Sequence, residues 1–333
     1  ASTSLMAIEL KSGTLTLITT DATNYLYIKE DKIDGDNFYV VVPVDIFSRL
    51  VMRMTCESVE LEIMQNSLEV RGNGKYNIEL PMDENGQYIK YPNPLSEVEL
   101  TDDGTEIQDA TIQAILNSIK PSLAVTLEIP CYTGYYVGEK VVGTDTYKIA
   151  SIDMSITSNA MLISPETMNL LDVMTSEKIN MSVINNVIIF TSPDCTIYST
   201  KMEGIDDYDI EAISAHLSSE FDSVCKVSKS ALLQILDRLS LFVGAYDKNG
   251  INLTFTEGGL QISSKSSNGV ELLKYIESEN FSSFTCMIDI VALTMQVKAQ
   301  ASDTVTIYYG KENAIKMVDG NLTQIVALME NVD

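Results

Sequence analysis

A threefold internal repeat constrains this 333-residue chain more than any other feature, because repeated units of this length imply one architecture built from similar copies. Residues 39–51 read as a strand running into a helix. Pro43 stands at the first helical turn, and Ile46, Phe47, Leu50, Val51 and Met54 follow at helical spacing. Two alternating runs come next, at 59–63 and 67–70, then a glycine turn and a third run at 76–80. The order returns at 161–165, with Met168, Leu171 and Met174 on a helix and strands at 179–184, 187–191 and 196–202. It returns again at 284–289, with Ile290, Leu293 and Val297, then strands at 304–309 and 314–318.

The other half of each unit repeats as well: residues 13–17 correspond to 140–143 and to 259–262. In the second and third units an amphipathic helix precedes that strand. Its apolar stripes are Ile112, Ile115, Leu116 and Ile119 in one, and Leu232, Leu236 and Leu239 in the other. Projected onto the first unit, this helix falls before residue 1. The expectation is that the chain starts one helix and one short strand late, or that the first domain is shorter. Three α+β domains are expected, at 1–95, 96–222 and 223–333. Each offers two helices, the first lacking one, and antiparallel sheets with the helices grouped on one side. The boundaries fall near Pro92 and Pro94 and in the polar stretch 214–223.

Hydrophobic residues make up 45% of the chain, enough for substantial cores. The longest apolar runs, such as 187–190, are far too short to span a bilayer, and no signal-peptide pattern opens the chain. A soluble cytoplasmic protein with no membrane partner is expected. The five cysteines are an odd number with no C-x-x-C pair, which argues against a disulfide framework or a zinc site. His216 is the only histidine, and no P-loop, dinucleotide fingerprint or nucleophile elbow is present. No cofactor and no enzymatic activity are expected. Asp102–Asp103 and Asp206–Asp207 read as solvated acids more readily than as a cation site. Tyr132, Tyr135 and Tyr136 suit packing in a strand or contact with a nucleic acid.

Taken alone, the net charge of −25 argues against phosphate binding, but its distribution matters more than its sum. The five helical windows (43–54, 109–120, 165–178, 226–240 and 289–299) are close to neutral, so strands and loops carry nearly all of the acid. If the helices line a channel, Arg49, Arg53, Lys120, Lys178, Lys226, Lys229, Arg238 and Lys298 become candidates to face DNA phosphates. Otherwise they are ordinary solvated residues.

The layout resembles, over essentially the whole chain, the β subunit sliding clamp of bacterial DNA polymerase III. The segments that carry the likeness are 13–21 (Gly-Thr-Leu-Thr-Leu-Ile-Thr-Thr-Asp), 41–47, 143–150 (Gly-Thr-Asp-Thr-Tyr-Lys-Ile-Ala) and 227–233. The resemblance implies a DNA-clamp fold and a closed ring formed by a head-to-tail homodimer, helices inside and sheets outside. It implies a processivity factor that encircles double-stranded DNA without sequence specificity, placed there by an ATP-driven clamp loader and tethering a DNA polymerase.

By the same resemblance, the edge at Lys75, Tyr76 and Ile78 meets Leu241 and Phe242 of the other copy, although those two residues also read as core. A pocket for a short, partly extended peptide ending in apolar residues would use Thr144, Thr146, Tyr147, Lys148, Ile149, Asp206, Ile210, Val326, Ala327, Leu328 and Met329. The family usually has Gly-His-Arg where this chain has Thr146-Tyr147-Lys148, and its terminal residues differ too. Partner specificity is therefore expected to have drifted, as in a clamp encoded by a phage or mobile element. The alternative is a clamp-like protein that captures peptides without encircling DNA.

Overall fold

The computed structural model describes residues 2–99, 104–174, 176–244, 248–311 and 313–330; the Asp102–Asp103 pair lies outside them. Three copies of one strand order run along the chain. In the first, β1 (Leu5–Lys11), β2 (Thr14–Thr20), β3 (Asn24–Glu30) and β4 (Phe38–Pro43) are arranged β4-β1-β2-β3. Helix α1 (Val44–Met52) follows, then a meander of β5 (Glu60–Ile63), β6 (Ser67–Arg71) and β7 (Lys75–Glu79).

The second copy opens with β8 (Thr105–Gln108) and α2 (Asp109–Ser118). Strands β9 (Tyr135–Val137), β10 (Val141–Thr144), β11 (Lys148–Ile152) and β12 (Met161–Ile163) are ordered β12-β9-β10-β11. Then come α3 (Pro165–Leu171) and the meander β13 (Lys178–Ile184), β14 (Val187–Thr191) and β15 (Cys195–Thr200). A connecting helix α4 (Ile210–Leu217) leads on.

The third copy has β16 (Ser223–Ser228), α5 (Lys229–Ser240), β17 (Gly250–Thr256), β18 (Gly259–Ser264), β19 (Val270–Leu273), β20 (Glu277–Glu279) and β21 (Phe284–Asp289). Its sheet order is β21-β17-β18-β19. Helix α6 (Ile290–Ala299) and the meander β22 (Thr304–Tyr309), β23 (Ala314–Asp319) and β24 (Leu322–Ala327) complete it. In the last two copies the leading strand pairs with the first meander strand, β8 with β13 and β16 with β22. Among the described residues the first copy has no such leading strand beside β5.

The chain packs as two compact units. One comprises Ala1–Asp109 with Asn169–Lys201, the other Ala110–Met168 with Met202–Asp333. The first unit holds an eight-stranded sheet, β4-β1-β2-β3-β15-β14-β13-β8, and the three-stranded β5-β6-β7. The second holds a nine-stranded sheet, β12-β9-β10-β11-β24-β23-β22-β16-β20, and the four-stranded β19-β18-β17-β21. Each large sheet therefore contains one antiparallel seam at which two copies join: β3 with β15 in the first unit, β11 with β24 in the second.

Alternation explains the strands with one face in a core, whereas β10, β11 and β12 are buried along their whole length. Along β22 (Thr-Val-Thr-Ile-Tyr-Tyr), Val305, Ile307 and Tyr309 are buried and the residues between them are half-exposed. In α5 the stripe Leu232, Ile235, Leu236 and Leu239 is buried, and the helix packs on β16, β18, β19 and β22. Each such side chain contributes about 1.5–3 kcal/mol on leaving water. Ser228 caps this helix by accepting the Ala231 amide, and Asp289 caps α6 by accepting those of Val291 and Ala292. At Gly143 an added Cβ would lie 2.6 Å from Ile119 Cγ2, so only glycine lets the chain after α2 lie this close to β10.

Two helical windows need correction. α3 ends at Leu171, and Lys178 opens β13; Lys226 lies within β16, two residues before the cap of α5. In both stretches the period is two, Lys-Ile-Asn-Met and Cys-Lys-Val-Ser, which suits a strand. Lys120 sits in a 3-10 turn after α2. The polar stretch expected to be a plain boundary contains part of α4. Ile213 of α4 packs with Ile149 and Ile325, while the next residue on β24, Val326, belongs to the core formed by α5 and α6. Side chains alternate along a strand, so α4 covers the opposite face of the sheet, and the helices are not all on one side.

Under α6 lies a chain of buried amides. Gln296 donates to Ser122 Oγ (2.8 Å), Gln324 to the Gln296 carbonyl (3.0 Å), and Gln300 to Gln324 Oε1 (2.9 Å). Tyr135 is fully buried on β9, and Tyr132 and Tyr136 pack on Tyr208, with ring centroids 5.1 Å away in each case. No helix among the described residues is long and apolar enough to cross a membrane.

Candidate functional site

A cavity of about 850 Å³ in the second unit opens beside its seam. That is within the range for small-molecule and peptide pockets. One wall is the turn from β10 to β11, where the Tyr147 carbonyl accepts the Ala327 amide (2.8 Å) and so ties the turn to the end of β24. Beyond β24 the chain crosses to the neighbouring edge strand: the Leu328 amide donates to the Asn313 carbonyl (2.9 Å), and the Met329 amide to that of Met287 on β21 (2.8 Å). The opposite wall is the first turns of α6, Val291, Ala292 and Met295.

The lining combines two chemistries. Met287, Met295 and Met329 bring three flexible thioethers next to Val291, Val326 and Leu328, an adaptable apolar floor. Lys148, Lys248 and Lys265 stand among Asp145, Asp289 and Glu330, so the rim is polar and close to neutral. Asp289 is occupied with capping α6, and Asp145 with its own turn. Tyr147, 73% exposed, stands at the mouth. Such a site suits a short segment with apolar anchors and a polar backbone.

Three of the thiols are held in the protonated form. Burial pushes the Cys225 and Cys286 thiols up to about 12 and the Cys195 thiol to about 11, keeping them protonated near neutrality. No group of three or more potential metal ligands occurs among the described residues.

No protein-family model and no curated protein matches the sequence. Solved structures do match. The β subunit of DNA polymerase from Streptococcus pyogenes superposes with a TM-score of 0.87 at 15% identity, covering 99% of this chain and 92% of that one. The DNA polymerase sliding clamp from Bacillus subtilis gives 0.85 at 14% identity, with 99% and 92% covered. The DNA polymerase III β subunit from Pseudomonas aeruginosa gives 0.83 at 15% identity, with 99% and 93% covered. The fold is that of the sliding clamps.

On this clamp fold, six of the eleven expected pocket residues line the cavity: Tyr147, Lys148, Val326, Ala327, Leu328 and Met329. Thr144 is buried within the turn, and Thr146 sits there with a positive φ of 77°. Ile149 is buried beneath α4 together with half-buried Ile210, and Asp206 lies in a 3-10 turn before that helix. Asp145 and much of the third copy's contribution, including Lys248, Asn249, Lys265, Met287 and Met295, are lining residues that the sequence alone does not single out. Asp145 was within reach, because Thr-Asp recurs at residues 20–21 and 144–145.

The expected DNA-facing cations are mostly engaged. Arg49 pairs with Asp45 (2.8 Å), Lys178 with Glu106 (2.9 Å), Lys226 with Glu277 (3.0 Å) and Arg238 with Glu271 (2.6 Å). Lys229 donates to the Gln300 carbonyl. Among the described residues, Arg53 and Lys298 have no ion-pair partner. At the expected subunit boundary, Leu241 and Phe242 are 82% and 50% exposed, which rules out the core reading for them. On β7, Tyr76 is exposed and Lys75 pairs with Glu69 (2.7 Å), but Ile78 is buried in its own unit's core and offers a neighbour only backbone.

Proposed function

We propose that this chain is a DNA sliding clamp, a non-enzymatic processivity factor that encircles duplex DNA as a closed homodimer. It holds a DNA polymerase through the cavity beside β11 and β24. One observation carries the reading. In the first and second copies the third strand of the first sheet pairs with the last meander strand of the following copy, β3 with β15 and β11 with β24. The strands left over are β19 and β7, and each is the edge of its sheet. Pairing β19 of one chain with β7 of a second reproduces the same seam. Done twice, it closes a ring of six copies with no open edge at the boundary. On this reading the three repeats act as domains near 1–95, 96–222 and 223–333.

A closed ring stays on DNA by topology, so the net charge of −25 is compatible with the role. Tight phosphate binding would slow sliding. With most inner cations already paired, contact with phosphate is weak and independent of base sequence. Opening the ring falls to an ATP-driven loader, and the cytoplasm is the compartment such a partner set implies.

The test is sedimentation of the protein, followed by loading onto closed circular DNA with a matched loader. A two-chain species that remains on the circle and leaves when the DNA is cut supports the clamp. A strict monomer that binds polymerase peptides but is not retained on the circle would instead make it a peptide-capturing protein.

A further inference from the structure

Two turns, one in each unit, are built from the same hydrogen bonds. In the first unit Thr20 Oγ1 donates to the Asn24 carbonyl (2.6 Å) and accepts the Ala22 amide (3.0 Å). One oxygen of Asp21 accepts the amides of Thr23 (2.9 Å) and Asn24 (2.6 Å), and the other accepts the Asn24 side-chain amide (2.9 Å). In the second unit Thr144 Oγ1 donates to the Lys148 carbonyl (2.9 Å) and accepts the Thr146 amide (3.1 Å). One oxygen of Asp145 accepts the amides of Tyr147 (3.0 Å) and Lys148 (2.9 Å), and the other accepts the Lys148 ammonium. Ala22 and Thr146 share the left-handed conformation, with φ of 86° and 77°.

This duplication separates what the turn needs from what the cavity needs. The turn requires a carboxylate at its second position and a buried donor at its fifth. Asparagine fills the fifth place in one copy and lysine in the other, so a positive charge there is dispensable. The Lys148 side chain is only 10% exposed and its ammonium is held by Asp145. Left-handed backbone is unfavourable for a β-branched residue such as Thr146, so the turn depends on bonds that hold it in place.

We propose that Asp145 is a positioning residue of the peptide site. Its carboxylate holds the turn so that the exposed Tyr147 ring forms the mouth of the cavity. Lys148 acts as the lock on Asp145 and makes no direct contact with the bound peptide. This rests on the cavity being the peptide site.

The experiment compares Asp145→Ala, Lys148→Ala, Lys148→Asn and Tyr147→Ala in the whole protein. Hydrogen exchange at the Tyr147 and Lys148 amides reports the turn. Fluorescence anisotropy with a fluorescein-labelled extended hexapeptide ending in Leu-Phe reports the cavity. Asp145→Ala is expected to speed exchange and weaken the peptide, each by about tenfold or more. Lys148→Ala is expected to do the same less strongly, and Lys148→Asn, copying Asn24, to rescue both. Tyr147→Ala should weaken the peptide while amide protection stays.

If Lys148→Asn restores protection but not affinity, Lys148 touches the peptide and the assignment is overturned. Unchanged exchange in Asp145→Ala also overturns it. If the alanine variant does not fold, Asp145→Asn substitutes for it, keeping an acceptor for the two amides but losing the negative charge that holds the Lys148 ammonium. Pairing it with Lys148→Asn should restore affinity, and failure to do so overturns the lock. Should the wild type not bind the hexapeptide, the cavity's peptide reading falls, and the exchange measurement alone decides whether Asp145 holds the turn.

Discussion

Arg238 and Glu271 meet through two parallel hydrogen bonds, 2.8 Å from Nε and 2.6 Å from a terminal nitrogen. The arginine on α5 that the helical pattern offers to DNA is thus already held by a carboxylate on edge strand β19. In return its guanidinium holds the Glu271 carboxyl below the usual carboxylate range. A phosphate has to compete with that fork. Glu271→Gln is therefore expected to raise affinity for short duplex DNA and to steepen the plot of log affinity against log salt by about 0.9, one released counterion. Arg238→Gln should change the slope little. Anisotropy across a salt series checks both.

Exposed apolar side chains on the two unpaired edges make the proposed subunit boundary testable. Leu272 on β19 is 54% exposed and Tyr76 on β7 is 41% exposed. An arginine at either position is expected to weaken dimerisation by about tenfold or more, with the thermal midpoint of the monomer unchanged. Ile78→Ala should behave differently, because Ile78 is buried: it is expected to cost about 2–4 kcal/mol of folding stability. Sedimentation equilibrium beside thermal melts distinguishes the two outcomes.

Thr146 carries a side chain in a conformation that favours glycine. Replacing it with glycine relieves about 1–2 kcal/mol of left-handed strain and gives back roughly half through unfolded-state entropy. A net gain of about 0.5–1 kcal/mol is expected, read as a rise in the urea midpoint at constant slope.

Alkaline pH tests the buried thiols. Cys225 and Cys286 are pushed up to about 12 by burial, whereas in the unfolded chain they ionise near 8.5. Between those values the unfolded state binds fewer protons, so their contribution is intact below the lower value and is lost as pH rises. The slope is at most about 1.4 kcal/mol per pH unit for each thiol. Urea melts from pH 8 to 11 should show stability falling, and Cys225→Ala with Cys286→Ala should flatten the decline.

Much of this architecture is legible in the chain because each copy states it again. Pro43 at the start of its helix, the apolar stripes of α2 and α5 and the alternation in β22 are local signals that repetition reinforces. What escaped has physical reasons. Lys178 opens β13 only a short connection after α3, and Lys226 lies in β16 just before α5, so a window drawn around either helix takes in the neighbouring strand. α4 has Ile210, Ile213 and Leu217 at helical spacing, but its surrounding serines and acids read as a linker. The far wall of the cavity, Met287 and Met295, comes from a copy remote in sequence from the Tyr147 turn. Only the β11–β24 pairing brings the two together.

The amides beneath α6 make the β11–β24 junction a keyed joint. A slide of one residue would swing Gln324 to the outer face and strand both Gln300 and the Gln296 carbonyl in a dry interior. At the matching place in the other internal junction stands Ile197, which tolerates slippage no better but enforces it only through shape. On the proposed reading, a ring that is opened for loading parts where two chains meet and leaves this joint whole.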